Sequence, residues 1–560
     1  MRRIISIAAA ALMLTACGTE PAGSDETAYT EAAACDDELV GALSRWAEAG
    51  FSGSIAITGE EGFACEAGFG FADAENEVPN TEETVFAIGS VSKSFTAAAV
   101  LDLVDAGALA LDDRAGDLVP GLGGPAAEAT VEQLLLHTSG LSGSHGDDHV
   151  PLDRDAAIAA LSELESSFGP GTGFGYSNSG YTLLALIIDE LSGSGYREYM
   201  AAEIMRLPGS DGRIGGFWDG EPAPRGDKAV GLVDGAPAAS LGDFAGPYWA
   251  MEGNGDLAMT ASELAAWTAA LFEGEVIAPE AVELLTGTVF DQGDGTSEIP
   301  GWVALDETAY GVPVYTVAGG GGDTGHNAVA VWLPETRRSL AITSNTSEIT
   351  ASELLDAIGP ALAAGEPPPV PDTGVEVDPA ELAAAEGAYA LDSGSVFTVT
   401  AAEDRLEVAA DGADAIDALF VPTGGFTAED VERHEAAVAA LLAGGTEAGR
   451  EEREVLESEL GPLGEITTVG TVVEEGELRT YVTIEADETT LAWYAVDEHG
   501  GVAAVLLDPG PPVFTLVPTG EGDYRQERLD GAGLGVRVSF DGELMTVAGP
   551  EGAVEADRSS

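Results

Sequence analysis

The chain has 560 residues, with 22 basic side chains against 98 acidic ones and a formal net charge of −76. At about 150 residues per domain that length implies two to four domains, and an apolar content of 45% supplies cores for them, which excludes wholesale disorder. So negative a field repels phosphate backbones and anionic lipid headgroups, excluding a nucleic-acid binder and an electrostatic membrane anchor; with no run of five or six like charges, the acidity is spread over solvated faces, as in proteins of salty surroundings.

Residues 1–17 read as an export signal: Arg2 and Arg3 start it, and residues 4–14 form an apolar run too short to span a bilayer. The run ends in Leu14-Thr15-Ala16-Cys17, which resembles the lipobox of bacterial lipoproteins. Acylation of Cys17 would tether an exported protein to the membrane, facing the extracytoplasmic space; ordinary secretion with an incidental cysteine is the alternative. Cys35 and Cys65 then remain, and in an exported chain they pair most simply with each other, closing a loop of about thirty residues and stabilising the fold by roughly 3–4 kcal/mol; buried free thiols are the other reading.

Residues 18–34 are small, polar and acidic without apolar periodicity, as in a flexible tether. Folding is expected from Cys35, over a domain at 35–363. A helix at 38–49, paired strands at 51–58 and 63–71 and an apolar helix at 95–104 share one core. Pro367, Pro368, Pro369 and Pro371 then mark a stiff linker at 364–378. Beyond it, at 379–560, short runs at 467–473, 479–484, 491–496 and 513–517 recur near ten-residue intervals, which suggests a small antiparallel barrel or sandwich, interrupted at 428–460 by one or two surface helices.

Lysine occurs at two positions only, Lys93 and Lys228. Lys93 follows Ser90 by three residues, where strand-like residues give way to a helix, so the two share a face and the amine lies close enough to exchange a proton with the hydroxyl. Such a spacing arises in about one shuffled chain in ten, so it needs company, and a helix cap beside a solvated lysine is the plain alternative. The company is Tyr176-Ser177-Asn178 in a Gly/Ser-rich loop, followed by an apolar helix at 183–191. A tyrosine and an asparagine two apart in such a loop can point the same way.

In these residues the chain resembles the serine β-lactamase and penicillin-binding-protein superfamily, in the branch of class C β-lactamases, DD-carboxypeptidases, D-aminopeptidases and related esterases. The similarity spans 38–345 and includes a segment from Thr130 to Leu141, the run Gly253-Asn254-Gly255-Asp256-Leu257 leading into Met259 to Leu264, and late strands at 327–333 and 340–345. It implies an α+β fold of an antiparallel sheet flanked by helices plus an all-helical region, with a C-terminal β-rich appendage that in similar hydrolases is lipocalin-like. It also implies roles. Ser90 would form an acyl-enzyme with an ester or amide, Lys93 with Tyr176 would move the proton, and Asn178 would position the substrate. For Lys93 to act near neutrality its pKa must fall by about three pH units, roughly 4 kcal/mol of bias, which burial supplies. Which of Lys93 and Tyr176 is the base stays open. His137 reads as a capping or core residue.

One landmark departs from the family pattern. The third motif, usually a lysine or histidine, any residue, then glycine, stands here as Gly319-Gly320-Gly321, followed by Gly322 and, four residues further on, His326. The amides of Gly322 and Ser90 would form the oxyanion hole, with Gly321 beside the substrate. The missing cation weakens the case for β-lactams or peptides ending in a carboxylate. His326 is expected at the rim. The substrate is thus a small-molecule or peptidoglycan-like ester or amide; no cofactor is implied, and six histidines and three cysteines scattered without ligand spacing give no metal site. The rival is a scaffold or binding protein that kept the fold and lost catalysis, with the glycine-only motif as its mark of decay.

Overall fold

The computed structural model describes residues 29–30, 35–59, 62–209, 212–233, 235–238, 246–293, 295–321 and 324–371, and further on 374–375, 377–402, 404–421, 426–474, 477–486, 489–496, 500–520, 522–526, 536–549 and 552–559. The export signal with Cys17 lies outside them, as does Gly322. The chain divides into two compact units, Met1–Pro368 and Pro369–Ser560.

The first unit is built on nine antiparallel strands: β1 (Tyr29–Thr30), β2 (Gly53–Gly59), β3 (Gly62–Phe69), β4 (Phe290–Gly293), β5 (Thr296–Ile299), β6 (Trp302–Leu305), β7 (Val314–Gly321), β8 (His326–Leu333) and β9 (Arg338–Ser344). Their order across the sheet is β1-β3-β2-β9-β8-β7-β6-β5-β4. β1 corrects the tether reading in part, because Tyr29 and Thr30 pair with Phe69 and Gly68. An edge strand offers unpaired N–H and C=O groups to any extended segment that follows it, whatever that segment's composition. Five helices bear on the argument: α1 (Asp37–Glu48), α2 (Ser92–Asp105), α3 (Asn178–Ser192), α4 (Ala261–Phe272) and α5 (Ala351–Ala364). α4 and α5 cover β8 and β9, which are buried nearly throughout, and β8 reads as a continuous apolar run from Ala328 to Leu333 for that reason.

α2 is apolar on almost every face, with Phe95, Ala97, Ala98, Ala99, Val100 and Leu101 fully buried, so it is the central helix of the core. Phe95 stacks on Trp267 of α4 at 3.5 Å between ring centroids, which locks α2 to the sheet's cover. Cys35 and Cys65 are disulfide-bonded, tying the start of α1 to β3. Replacing both by serine is expected to cost about 3 kcal/mol through the freed unfolded chain. Calorimetry checks this as a lower Tm, and an unchanged Tm would show the bond to be idle.

The second unit contains a closed eight-stranded antiparallel barrel, formed by Gly387–Ala390, Val396–Ala402, Arg405–Asp411, Val513–Gly520, Asp523–Gln526, Arg537–Asp541, Leu544–Gly549 and Gly552–Arg558. Its interior is filled by Tyr389, Phe397, Leu406, Phe514, Leu516 and Met545. The runs at 467–473, 479–484 and 491–496 do not join it. They form a separate sheet of Ile466–Glu474, Glu477–Glu485, Thr489–Val496 and Val502–Leu507. The reason lies in α6 (Ala428–Leu442) and α7 (Glu447–Leu460), whose Val438, Leu441, Leu442 and Leu456 pack with Val482, Ile484, Ala492 and Tyr494 and bury the face a barrel would have enclosed.

Candidate active site

A short strand, Phe86–Ala87, pairs with Leu257–Met259 and delivers the chain to Gly89, whose φ of 50° turns it sharply into a single 3₁₀ turn, Gly89–Val91. Ser90 sits on that turn, just ahead of α2, rather than in the helix itself. Lys93, in the first turn of α2, is 3% exposed. Its Nζ lies 2.9 Å from Ser90 Oγ, 2.7 Å from Asn178 Oδ1 and 2.8 Å from the carbonyl oxygen of Asn254. The last two partners only accept, so they take two hydrogens from the amine. What faces Ser90 is the third position of Nζ, and in the neutral amine that is the lone pair. Burial is the chief cause that lowers the Lys93 pKa to about 7, opposed by the charges of Asp148 and Asp256.

The hydroxyl of Tyr176 donates to Ser90 Oγ at 2.7 Å. The residue as a whole is 55% exposed, yet its hydroxyl end is buried against the serine, and that burial, with the nearby Glu298 carboxyl, raises its pKa above the ordinary phenol value. The loop is held from beneath. His137, at φ 55° and 5% exposed, accepts from the Ser177 amide through Nδ1 at 3.1 Å, and its ring lies 4.6 Å from that of Tyr176. Burial, then the Lys93 charge, lowers its pKa to about 3, so it stays neutral and serves as an acceptor. Helix α3 begins at Asn178, five residues before the predicted apolar run, because Ser177 Oγ caps it by accepting from the Gly180 amide. Asn178 therefore presents its side chain from a rigid first turn, and its Oδ1 is spent on Lys93.

The opposite wall is the end of β7. A Cβ built on Gly319 would lie 2.4 Å from the Ser90 amide nitrogen, 2.5 Å from the Ile88 carbonyl oxygen and 2.5 Å from the Val91 nitrogen, and one on Gly89 would lie 2.8 Å from the Gly320 nitrogen. The strand and the serine's turn thus meet backbone to backbone along a seam of glycines. Gly321 closes β7, paired with His326. His326 is not at the rim: it is 2% exposed, with its ring against Phe86 and Trp218, and burial lowers its pKa to about 4. Its neighbours are large and aromatic, so the ring turns inward with them. Ser90 and Tyr176 open onto a cleft of 500 Å³ whose far side carries Asn327, Ser347, Thr350 and Ser352. Glu298 of β5 is 8% exposed, accepts from Gln292 Nε2 at 2.8 Å, and is raised by burial to about 7. Among the described residues no group of three His, Cys, Asp or Glu side chains is arranged to hold a metal, and no helix is long and apolar enough to cross a membrane.

Ser90, Lys93, Tyr176 and Asn178, whose contacts join positions 85 and 86 residues apart, therefore meet at hydrogen-bonding distance, while Gly321 stands on the facing strand. The sequence reading missed the Asn254 carbonyl and Glu298. A backbone carbonyl has no residue-type signal, and Glu298 is one of 98 acids.

Comparison with known proteins identifies the family and the fold. The family model described as beta-lactamase matches residues 44–364, more than half of the chain. Penicillin-binding protein 4* of Bacillus subtilis is 27% identical over 365 residues, which span 60% of this chain and 79% of that protein. The putative penicillin-binding protein PbpX of the same organism is 30% identical over 263 residues, 45% of this chain and 64% of its own length. The structure of an octameric penicillin-binding protein homologue from Pyrococcus abyssi has the same fold, with a TM-score of 0.54 at 19% identity, covering 92% of this chain and 99% of that one. The chain belongs to the beta-lactamase family, within the superfamily of serine β-lactamases and penicillin-binding proteins.

Proposed function

We propose that the protein is a serine hydrolase that cleaves an ester or amide through an acyl-enzyme on Ser90. The observation that carries this reading is a hydroxyl placed between a buried amine at 2.9 Å and a phenol at 2.7 Å. Neutral Lys93 takes the Ser90 proton as Oγ attacks the substrate carbonyl, and the proton then leaves with the departing alcohol or amine. Tyr176, held protonated by its raised pKa, keeps a donor on Oγ and, once that oxygen is acylated, offers its hydroxyl to the leaving group. Water reverses the sequence and releases the acid. The choice of base thus falls on Lys93, whose pKa near 7 suits the task better than a phenol pushed upward.

Esterase or D-aminoacyl hydrolase activity is favoured over efficient penicillin destruction, because the cleft wall at Gly319 carries no cation for a carboxylate. Export and acylation at Cys17, tethering the hydrolase to a membrane, belong to the same proposal. A fluorophosphonate probe and a labelled penicillin, applied to the wild type and to Ser90→Ala, test it. A covalent adduct on the wild type alone is the expected result; no Ser90-dependent adduct would leave a binding or scaffold protein. A screen of p-nitrophenyl esters, D-amino-acid amides and nitrocefin then ranks the substrates.

A further inference from the structure

Behind Lys93 lies a buried ionic group that the acylation chemistry does not use. The segment from Glu252 to Asp256 passes beneath the amine and is pinned to α2 and α3. Asn254 O accepts from Lys93 Nζ at 2.8 Å, Gly253 O from Thr96 Oγ1 at 2.9 Å and Glu252 O from Thr182 Oγ1 at 2.9 Å. Asn254 Nδ2 in turn donates to Thr182 Oγ1 at 2.8 Å. The segment cannot move without moving an acceptor of the lysine.

Its two acids are almost wholly buried, Glu252 at 4% and Asp256 at 3% exposure. Arg197 Nε donates to Glu252 Oε1 at 2.7 Å, and its guanidinium is held over the rings of Phe217 and Tyr248 at 4.1 and 4.4 Å. Asp256 Oδ2 accepts the Gly253 amide at 3.3 Å. The remaining oxygens, Glu252 Oε2 and Asp256 Oδ1, are buried with no hydrogen-bond partner among the described residues, and each acid bears on the other's proton. Two ionised carboxylates here would put a second negative charge in the interior against one guanidinium and leave two oxygens unsatisfied. One proton held between them removes both penalties.

We propose that Asp256 is a positioning residue, a buried counter-charge that acts on Lys93 alongside Asp148, and that Glu252, clamped by Arg197, keeps it in place by sharing one proton with it. This rests on the reading of Lys93 as the base. Desolvation alone would drive the amine so far toward neutrality that it would be a poor acceptor for a serine proton; a nearby negative charge restores part of its basicity. The charged and titratable groups around Lys93 are Asp148 and Asp256, the rings of Tyr176 and Tyr181, and neutral His137. Those around the acid pair are Arg197 and the buried hydroxyl of Tyr196. Burial raises both acids above the ordinary carboxylate range.

Because Lys93 and Lys228 are the chain's two lysines, labelling the full chain with ¹³Cε-lysine gives two resonances, assigned by Lys228→Arg. Asp256→Asn is expected to lower the Lys93 titration midpoint by about one pH unit. Glu252→Gln, which keeps a donor on a fully charged Asp256, is expected to leave that midpoint in place or raise it. An unmoved midpoint in Asp256→Asn, or equal displacement in both variants, overturns the proposal. Should Asp256→Asn not fold, infrared spectra at about pH 9 give a second measurement, since ordinary carboxyls are ionised there. A protonated-carboxyl C=O band in the wild type that Glu252→Gln removes supports the shared proton, and its absence from the wild type overturns it. The lysine titration needs no substrate, so a failure of Ser90 acylation would sink the hydrolase reading and leave this comparison standing.

Discussion

Lys93→Met is expected to lower kcat/KM for an activated ester by about 10²–10⁴-fold, the range in which a positioned general base contributes, and to remove the acid limb of the pH profile. In the wild type that limb should have its midpoint near pH 7, with activity rising as the pH rises, because only the neutral amine accepts the serine proton. Wild-type stability should rise with pH in the same sense, over the window between the folded and unfolded pKa of the lysine. A lysine whose pKa is about 7 in the fold and 10.5 in the open chain costs ~5 kcal/mol at and below pH 7, and the cost fades as the pH climbs toward 10.5. Methionine relieves that cost but leaves Asn178 Oδ1 and Asn254 O without a donor, a loss of about 1–3 kcal/mol for each buried acceptor. The variant should therefore be at least as stable as the wild type at pH 6 and progressively less so, by comparison, toward pH 10. Thermal unfolding at several pH values checks the sign. An inactive variant that is less stable at low pH and recovers at high pH would show that Lys93 is a structural cation, not a base.

The same rarity that makes this experiment clean made the site legible. With lysine almost absent, one placed a helical turn from a serine stands out, and the Tyr176–Asn178 pair confirmed the neighbourhood because both side chains had to serve one point. What stayed hidden was carried by backbone and by common residue types. The third acceptor on Lys93 is the carbonyl of Asn254, and the acids beneath it differ in nothing but burial from dozens on the surface. Secondary structure shows the same limit. Period-two alternation is identical in a strand that closes a barrel and in one that is covered by helices, so the pattern at 467–496 suits a barrel or sandwich equally well, whereas α6 and α7 in fact cover those strands as a separate sheet. Tyr29 and Thr30 become a strand only because Gly68 and Phe69 present an open edge.

Gly319 is where sequence and structure point in different directions, and the difference can be measured. Read as a string, the glycine is a lost lysine or histidine, so Gly319→Lys should restore carboxylate recognition. The packing predicts the reverse. Any Cβ at this position lies 2.4–2.5 Å from three backbone atoms of the Ile88–Val91 turn, and backbone cannot swing aside as a flexible side chain can. Relief requires β7 to part from the turn, and β7 is held at Gly319–Gly321 by β8 and further back, at Val314–Thr316, by β6, while the turn leads directly into α2. The serine is therefore the part that moves. A displacement of about 1 Å costs on the order of 10²-fold in rate, and overpacking a tight interior costs about 1–3 kcal/mol. Gly319→Ala and Gly319→Lys are both expected to acylate at least about 100-fold more slowly than the wild type and to unfold at a lower temperature, with alanine already showing most of the loss. A Gly319→Lys variant of undiminished Tm that gained turnover on a carboxylate-bearing β-lactam would overturn this. In that case the glycine seam would be an empty subsite, whereas the contacts make it the surface that holds Ser90 in register with its base.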